Sequence, residues 1–383
     1  MSRDVFIGQV VKLSDQGLGV VKRDNAEQIY FARGVWPGDI ARFQTANIAK
    51  SDNNRYIFAD LIEIIAASPQ RRPAPCPHFG LAENDCYGCP WMIAPYQDQW
   101  QAKLERLRYS LERIGLDPSS VQAGWPAPQE FAYRSRAQFK SDGVQIGYAG
   151  RHGQQMAPVD KCAILSPQLS AKFAALKASL PRSDWRPSGP EPWVFMDVNE
   201  ETAVDAVILN RRQAFAQANH AQNQQMKLWL QKRLTGFDRS SIILELFAGS
   251  GNFTAALVES GFQQIIAVEV DRASIASLKS RDWPQVSVIQ SDLYRPKARF
   301  SLQHFLPQVL IVNPPRAGLG KLTELARTQK SLRHIAYISC QIKSFCGNAR
   351  RLAKHGFRLV EVQPIDQMPQ TPHLEMLAWF ERE

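Results

Sequence analysis

The run Ile242-Ile-Leu-Glu-Leu-Phe-Ala-Gly-Ser-Gly-Asn-Phe253 limits what this chain can fold into more than any other stretch. The apolar residues from Ile242 to Phe247 predict a buried parallel strand. Gly249-Ser-Gly251 predicts a tight turn, and Thr254-Ala-Ala-Leu-Val a helix beyond it. A strand, a glycine turn and a helix in that order open a doubly wound α/β sheet, where a nucleotide-like ligand can lie against bare backbone. The third glycine of the dinucleotide fingerprint is absent, since Thr254 follows, and the glycines alone leave a nicotinamide enzyme open. Glu269 ends a second apolar strand eighteen positions beyond Gly251. A carboxylate there can accept hydrogen bonds from both hydroxyls of a ribose.

Further stretches converge on the same edge. The strand Val309-Leu-Ile-Val312 stops at Asn313-Pro-Pro-Arg316, whose prolines fix a rigid corner. The strand His334–Ser339 delivers Cys340, and Thr371-Pro-His-Leu-Glu375 precedes a last strand, Met376–Phe380. Together with Phe215-Ala-Gln217-Ala-Asn219-His-Ala-Gln-Asn223, these resemble the S-adenosylmethionine-dependent RNA uridine C5-methyltransferases. That family joins FxQxNxxxN, a GxGNF turn, a DPPR corner, an SCNP loop and an HTxHxE segment in this order. The resemblance implies a Rossmann-like class I methyltransferase domain with Cys340 as nucleophile and Glu375 as base. It assigns Gln217, Phe247, Asn252, Glu269, Asp292 and Asn313 to S-adenosylmethionine. Three departures stand out: Asn313 replaces the aspartate of DPPR, Gln341-Ile follows Cys340 in place of Asn-Pro, and Gln370 replaces the first histidine.

Uridine explains why such residues are needed. C5 of the neutral ring is a poor nucleophile. A thiolate added at C6 makes an enolate whose C5 can attack a sulfonium methyl group. A base then removes the C5 proton so that the thiolate can leave.

Upstream, residues 5–65 alternate short β-rich runs with turns, which predicts a five-stranded barrel of the oligonucleotide-binding type. Its Gly17-Leu-Gly19 and Trp36-Pro-Gly-Asp39 resemble a TRAM domain, which implies RNA contact. A proline- and arginine-rich linker, 68–75, leads to Cys76, Cys86 and Cys89, with Cys162 farther on. Clustered cysteines in a chain expected to be cytoplasmic argue for metal over disulfides, and four thiolates suit zinc or a 4Fe-4S cluster. The resemblance favours 4Fe-4S, although the gap from Cys76 to Cys86 is longer than usual in the family.

A helix is expected over 96–115, with Leu104, Leu107 and Leu111 on one face and room to pack on the catalytic domain. An alternating strand from Phe131 to Lys140 places Arg134 and Arg136 on one face, which the resemblance offers to RNA. The expected division is a barrel at 1–67, a β-rich iron–sulfur domain at 68–212 and the methyltransferase domain at 213–383. The net charge of +10 suits a polyanion. The N-terminus lacks the apolar run of a signal peptide and no stretch reaches membrane-span length, so a cytoplasmic protein, taken as a monomer, is expected. The resemblance favours 23S ribosomal over transfer RNA. Asn-Pro-Pro also keeps an exocyclic-amine methyltransferase open, and loss of the aspartate at 313 keeps a non-catalytic RNA-binding factor open.

Overall fold

The computed structural model describes residues 4–24, 27–51, 54–151, 153, 155–295, 302, 304–320 and 323–382. The chain forms two compact units, each gathered from separated stretches. The first contains Met1–Arg106, Gln129–Arg211 and Met368–Pro372; the second contains Leu107–Pro128, Arg212–Gln367 and His373–Glu383.

In the first unit, β1 (Val5–Leu13), β2 (Gly19–Lys22), β3 (Ile29–Ala32), β4 (Ile40–Ser51) and β5 (Asn54–Ala66) close a barrel in the order β1-β2-β3-β5-β4. Alternation along β1 turns Phe6 and Val10 inward, against Val21, Tyr30 and Phe43. The Trp36-Pro-Gly-Asp turn has a specific job. The buried Asp39 carboxylate accepts from Trp36 N at 2.6 Å and Ser68 N at 2.9 Å, and pairs with Arg71 at 3.0 Å. These bonds tie the barrel to the start of the linker.

The expected helix forms as α1 (Tyr96–Glu112), three residues shorter, and it runs across the boundary between the units at Arg106. Gly115, at φ 75°, lets the chain turn away in a left-handed conformation that glycine alone adopts cheaply. A second, antiparallel sheet in the first unit has the order β8-β7-β6-β9, from β6 (Arg136–Ser141), β7 (Ile146–Ala149), β8 (Met156–Pro158) and β9 (Val194–Asn199). Its core is Phe139, Met196 and Trp185 packed on Leu169 and Phe173 of α2 (Pro167–Ala178), a helix capped by Ser166.

The strand expected over Phe131–Lys140 therefore begins only at Arg136. Arg136 is not free for RNA as expected, because its guanidinium holds Asp197 of the neighbouring strand at 2.5 and 2.8 Å. A paired, largely buried arginine is a structural element.

The second unit is a seven-stranded sheet, β12-β11-β10-β13-β14-β16-β15. Its strands are β10 (Ile242–Leu246), β11 (Gln264–Glu269), β12 (Val286–Gln290), β13 (Val309–Val312), β14 (His334–Ser339), β15 (Arg358–Ile365) and β16 (Glu375–Glu381). Pairing is parallel from β12 to β14, and β16 runs antiparallel to both its neighbours. The helices of this unit are α3 (His220–Arg233), α4 (Asn252–Glu259), α5 (Arg272–Lys279), α6 (Thr323–Thr328) and α7 (Ile342–Lys354). The strand order reverses between β10 and β13, the switch point where doubly wound sheets bind ligands.

Composition suggested three consecutive pieces, whereas the fold places the barrel and the four-stranded sheet in one unit and adds Met368–Pro372 from near the C-terminus. Among the described residues, no helix is long and apolar enough to cross a membrane.

Candidate active site and cysteine pocket

Register decides which side chains meet at the carboxyl edge of the second unit. Leu246 pairs with Val268 and with Val312, so Phe247, Glu269 and Asn313 leave the sheet side by side. On the antiparallel side Ser339 pairs with Met376. The next step of that register sets Cys340 opposite Glu375, which is the first residue of β16 rather than a residue before it.

The glycine turn is built for a close ligand. Gly251 caps α4 at φ 89°, a left-handed conformation that favours glycine, and a Cβ on it would press on a Leu278 methyl at 2.5 Å. A Cβ on Gly249 would meet nothing within 4 Å, which leaves open space beside the turn. Glu269 braces the turn: its carboxylate accepts from Gly249 N at 2.8 Å, Val270 N at 2.7 Å and Asp271 N at 2.9 Å. Three of its roughly four lone pairs are thereby engaged, which leaves about one for a ribose hydroxyl.

Thr254, where a third glycine was missing, donates at 2.6 Å to the buried Glu245, whose carboxyl burial pushes up to about 8. Phe247 is held at φ 61°, with its ring 5.7 Å from that of Tyr294. Asn252 exchanges two 2.9 Å amide bonds with Asn223 of α3. Asp292 accepts from Tyr294 N and pairs with Arg295 at 3.1 Å. Asn313 donates its N–H to Leu246 O at 3.4 Å. Gln217 is half-buried, two residues before Asn219, the residue that caps α3.

Cys340 and Glu375 feel one another. Burial raises the Cys340 thiol, the Glu375 carboxylate raises it further, and the Arg316 guanidinium lowers it. Burial pushes Glu375 up to about 8 against the pull of the same arginine. Arg316 therefore faces both groups. It was visible as the last residue of Asn-Pro-Pro-Arg, but nothing in one sequence says where an arginine's charge will point. Cys346, in α7, is buried and lies outside this edge.

In the first unit, Cys76, Cys86, Cys89 and Cys162 line one pocket of about 350 Å³, its open mouth included, with Phe79, Met92, Val159 and Ile164 among the apolar walls. Burial raises the Cys86 and Cys89 thiols, and the neighbouring cysteines add to it. Gly88 N–H offsets part of this at Cys86 and Arg134 part of it at Cys89. The sulfurs do not already form a ligand cage: among the described residues no three histidine, cysteine, aspartate or glutamate side chains are poised around a metal position. Protonated thiols have no attraction that would draw them to one point, whereas a bound cation supplies it. The donor set, the apolar wall and the buried Tyr148 hydroxyl, which has no partner of good hydrogen-bond geometry, fit a thiolate-held group.

A family model described as tRNA (uracil-5-)-methyltransferase matches residues 198–281 and 290–383. An RNA methyltransferase of Nitrosomonas europaea is 36% identical over 382 residues, covering 99% of this chain and 97% of its own. The chain belongs to the RNA uracil-C5-methyltransferases. As a member of that family it transfers a methyl group from S-adenosylmethionine to C5 of uracil in RNA. A 23S rRNA (uracil(1939)-C(5))-methyltransferase of Marinomonas is 23% identical, with 98% of this chain and 94% of that protein covered. An S-adenosylmethionine-dependent methyltransferase structure from Agrobacterium tumefaciens aligns at 12% identity over 49% of this chain and 74% of its own, with a TM-score of 0.36. That score is too low to argue from; the methyltransferase fold here rests on the strand order.

One departure from the uracil-C5-methyltransferase pattern has a structural reason. Gln370 is buried at φ 68°. Its amide donates to Glu130 at 2.9 Å, and its oxygen and N–H meet the two ends of the Gln99 amide at 2.9 Å each. The side-chain amide supplies one donor and one acceptor to this buried network, and the backbone N–H makes the third contact. Nothing in the structure explains Gln341 in place of asparagine.

Proposed function

We propose that this methyltransferase modifies a uridine of 23S ribosomal RNA in the cytoplasm through a covalent intermediate on Cys340, with Glu375 as the base. The observation that carries this reading is the pairing of β14 with β16, whose register sets Cys340 opposite Glu375 at the edge where the glycine turn opens. S-adenosylmethionine, when bound, supplies an electrophilic methyl group on sulfur.

The rest is the work of this chain's residues. Phe247, Asn252, Glu269, Asp292 and Asn313 sit around the turn and switch point and hold the donor, with Gln217 reaching in ahead of α3. Arg316 lowers the Cys340 thiol toward its nucleophilic form. The thiolate adds to C6 of uracil, C5 takes the methyl group as its bond to the sulfonium sulfur breaks and leaves a neutral thioether, and Glu375 accepts the C5 proton as the C6–S bond breaks. A carboxylate with an elevated pKa is a stronger base once ionised, so its burial serves that last step.

In the first unit, Cys76, Cys86, Cys89 and Cys162 would hold a 4Fe-4S cluster that fixes the local fold, since methyl transfer moves no net electrons. The barrel, with its TRAM-like turns, would add RNA contacts. Relatives named as 23S rRNA uracil-C5-methyltransferases, matched along nearly the whole chain, favour the ribosomal substrate over transfer RNA.

Mapping 5-methyluridine in ribosomal and transfer RNA from cells lacking the protein tests this reading. One 5-methyluridine missing from 23S RNA and restored by the wild-type gene is the expected result. An intact 5-methyluridine map with a lost N-methylated nucleoside would overturn it.

A further inference from the structure

The iron–sulfur reading leaves one buried group without a role. Tyr148, on β7, lines the cysteine pocket, with its hydroxyl oxygen shielded from solvent and without a hydrogen bond of good geometry. Buried hydroxyls almost always find a partner, so one without a well-aligned partner marks a place where a partner is to be expected. Its ring is fixed. Tyr148 pairs with Ala157 across β7 and β8, and its ring lies 5.6 Å from that of Phe139. A Cβ on the preceding Gly147 would lie 2.0 Å from Ala157 O, so the two strands are pressed together and the ring has little freedom to turn elsewhere. The polar group beside the hydroxyl is the Cys162 side chain.

We propose that the Tyr148 hydroxyl donates a hydrogen bond to the Cys162 sulfur when that sulfur is a ligand of the 4Fe-4S cluster, and so tunes the cluster. This rests on the iron–sulfur reading above. A neutral thiol is a poor acceptor and leaves the contact weak and poorly aligned. A cysteinate is a good one. The contact has a counterpart across the pocket, where the Gly88 N–H serves the Cys86 sulfur and the Arg134 charge acts on Cys89. Donors to cluster sulfurs stabilise the reduced, more negative state more than the oxidised one and raise the reduction potential. Tyr148 is thus a positioning and tuning residue, not a catalytic one.

The test uses the full-length protein purified without oxygen, as wild type, Y148F and a control, Y133F. Tyr133 is a buried tyrosine of the same unit whose hydroxyl donates to Pro369 O at 3.0 Å and which is not among the residues lining the cysteine pocket. Iron and sulfide content, visible absorbance, reduction potential and the rate of bleaching in air are measured on each. Y148F is expected to load iron, to have a lower potential and to bleach several-fold faster, while Y133F matches wild type in all four. Y148F that loads iron and keeps the wild-type potential and bleaching rate would overturn the hydrogen bond and leave the cluster reading standing. Wild-type protein without iron or sulfide would overturn the cluster reading itself, and the proposed contact with it.

Discussion

The cysteine pocket of the first unit and the Cys340 edge of the second hold the same functional group in opposite company. In both, burial raises the thiol. In the pocket Cys86 and Cys89 have other cysteines for neighbours, which raise both thiols further. Such a set becomes anionic only when a metal supplies the missing positive charge. At the edge, Cys340 has one carboxyl and one guanidinium for company. A lone thiol with an arginine beside it can ionise without a metal, and a carboxyl close by can handle a proton. Neighbours, more than depth of burial, are what would separate a proposed ligand from a proposed nucleophile.

The contrast can be broken at four points, in order of expected effect on methyl transfer. Cys340→Ala should cut the rate by about 10⁴- to 10⁶-fold, the scale of losing a covalent nucleophile, with iron content unchanged. Methyl transfer at the wild-type rate by that variant would sink the covalent mechanism.

Glu375→Gln should slow turnover by about 10²- to 10⁴-fold, the range for a general base. It should also trap a denaturant-resistant protein–RNA adduct on gels that the Cys340→Ala, Glu375→Gln double variant cannot form. The same variant carries a pH signature. Glu375 is held at about 8 in the fold, above the ordinary carboxylate value, so folded protein binds that proton more tightly than the unfolded chain. Stability should then fall as pH rises from about 4.5 to about 8 and level off above that window. Denaturant titrations across the window should show a shallower fall for Glu375→Gln. A residual slope belongs to Glu245, raised in the same direction and to a similar value.

Arg316→Ala should reduce kcat/KM by roughly tenfold near neutrality, about one pKa unit of lost assistance to the thiol. Because the guanidinium lowers both Cys340 and Glu375, the rising limb of the pH–rate profile should move to higher pH. An unmoved limb would show that the arginine serves RNA binding alone.

Cys89→Ser should affect the chemistry least and the first unit most. Iron should be lost, and a cost of about 3 kcal/mol would lower its melting temperature by roughly 6–12 °C. S-adenosylmethionine affinity should stay within about twofold, because the residues proposed to hold the donor belong to the second unit and the cysteines to the first.

What could be read from the sequence follows the range of the interactions involved. The strand–turn–helix at Ile242–Glu259, the strand His334–Ser339 and the five barrel strands are local patterns, and they formed close to expectation. Three cysteines were grouped by their clustering and Cys162 joined them through the resemblance, and the four line one pocket although Cys162 lies far from the others in the chain. Long-range pairings were hidden. Arg136 looked like an RNA-facing cation because its partner, Asp197, is 61 residues away on another strand. Thr254 looked like a missing glycine until Glu245 was seen beneath it. Tyr148 gave no signal at all, since a tyrosine in a short strand is ordinary core until its hydroxyl proves to lack a well-aligned partner.

The five residues Met368–Pro372 have a consequence for how the protein is made. They belong to the first unit, while the residues on either side of them belong to the second. Synthesis proceeds from the N-terminus, and domains usually fold as they emerge. Here Gln99, Tyr133 and Trp91 must wait for Gln370 and Pro369 before their hydrogen bonds can form. The early-made half of the chain cannot finish folding until nearly the last codon has been translated. A transcript truncated shortly before Met368 would therefore leave both units incomplete, and a stalled ribosome would hold a chain that lacks Glu375.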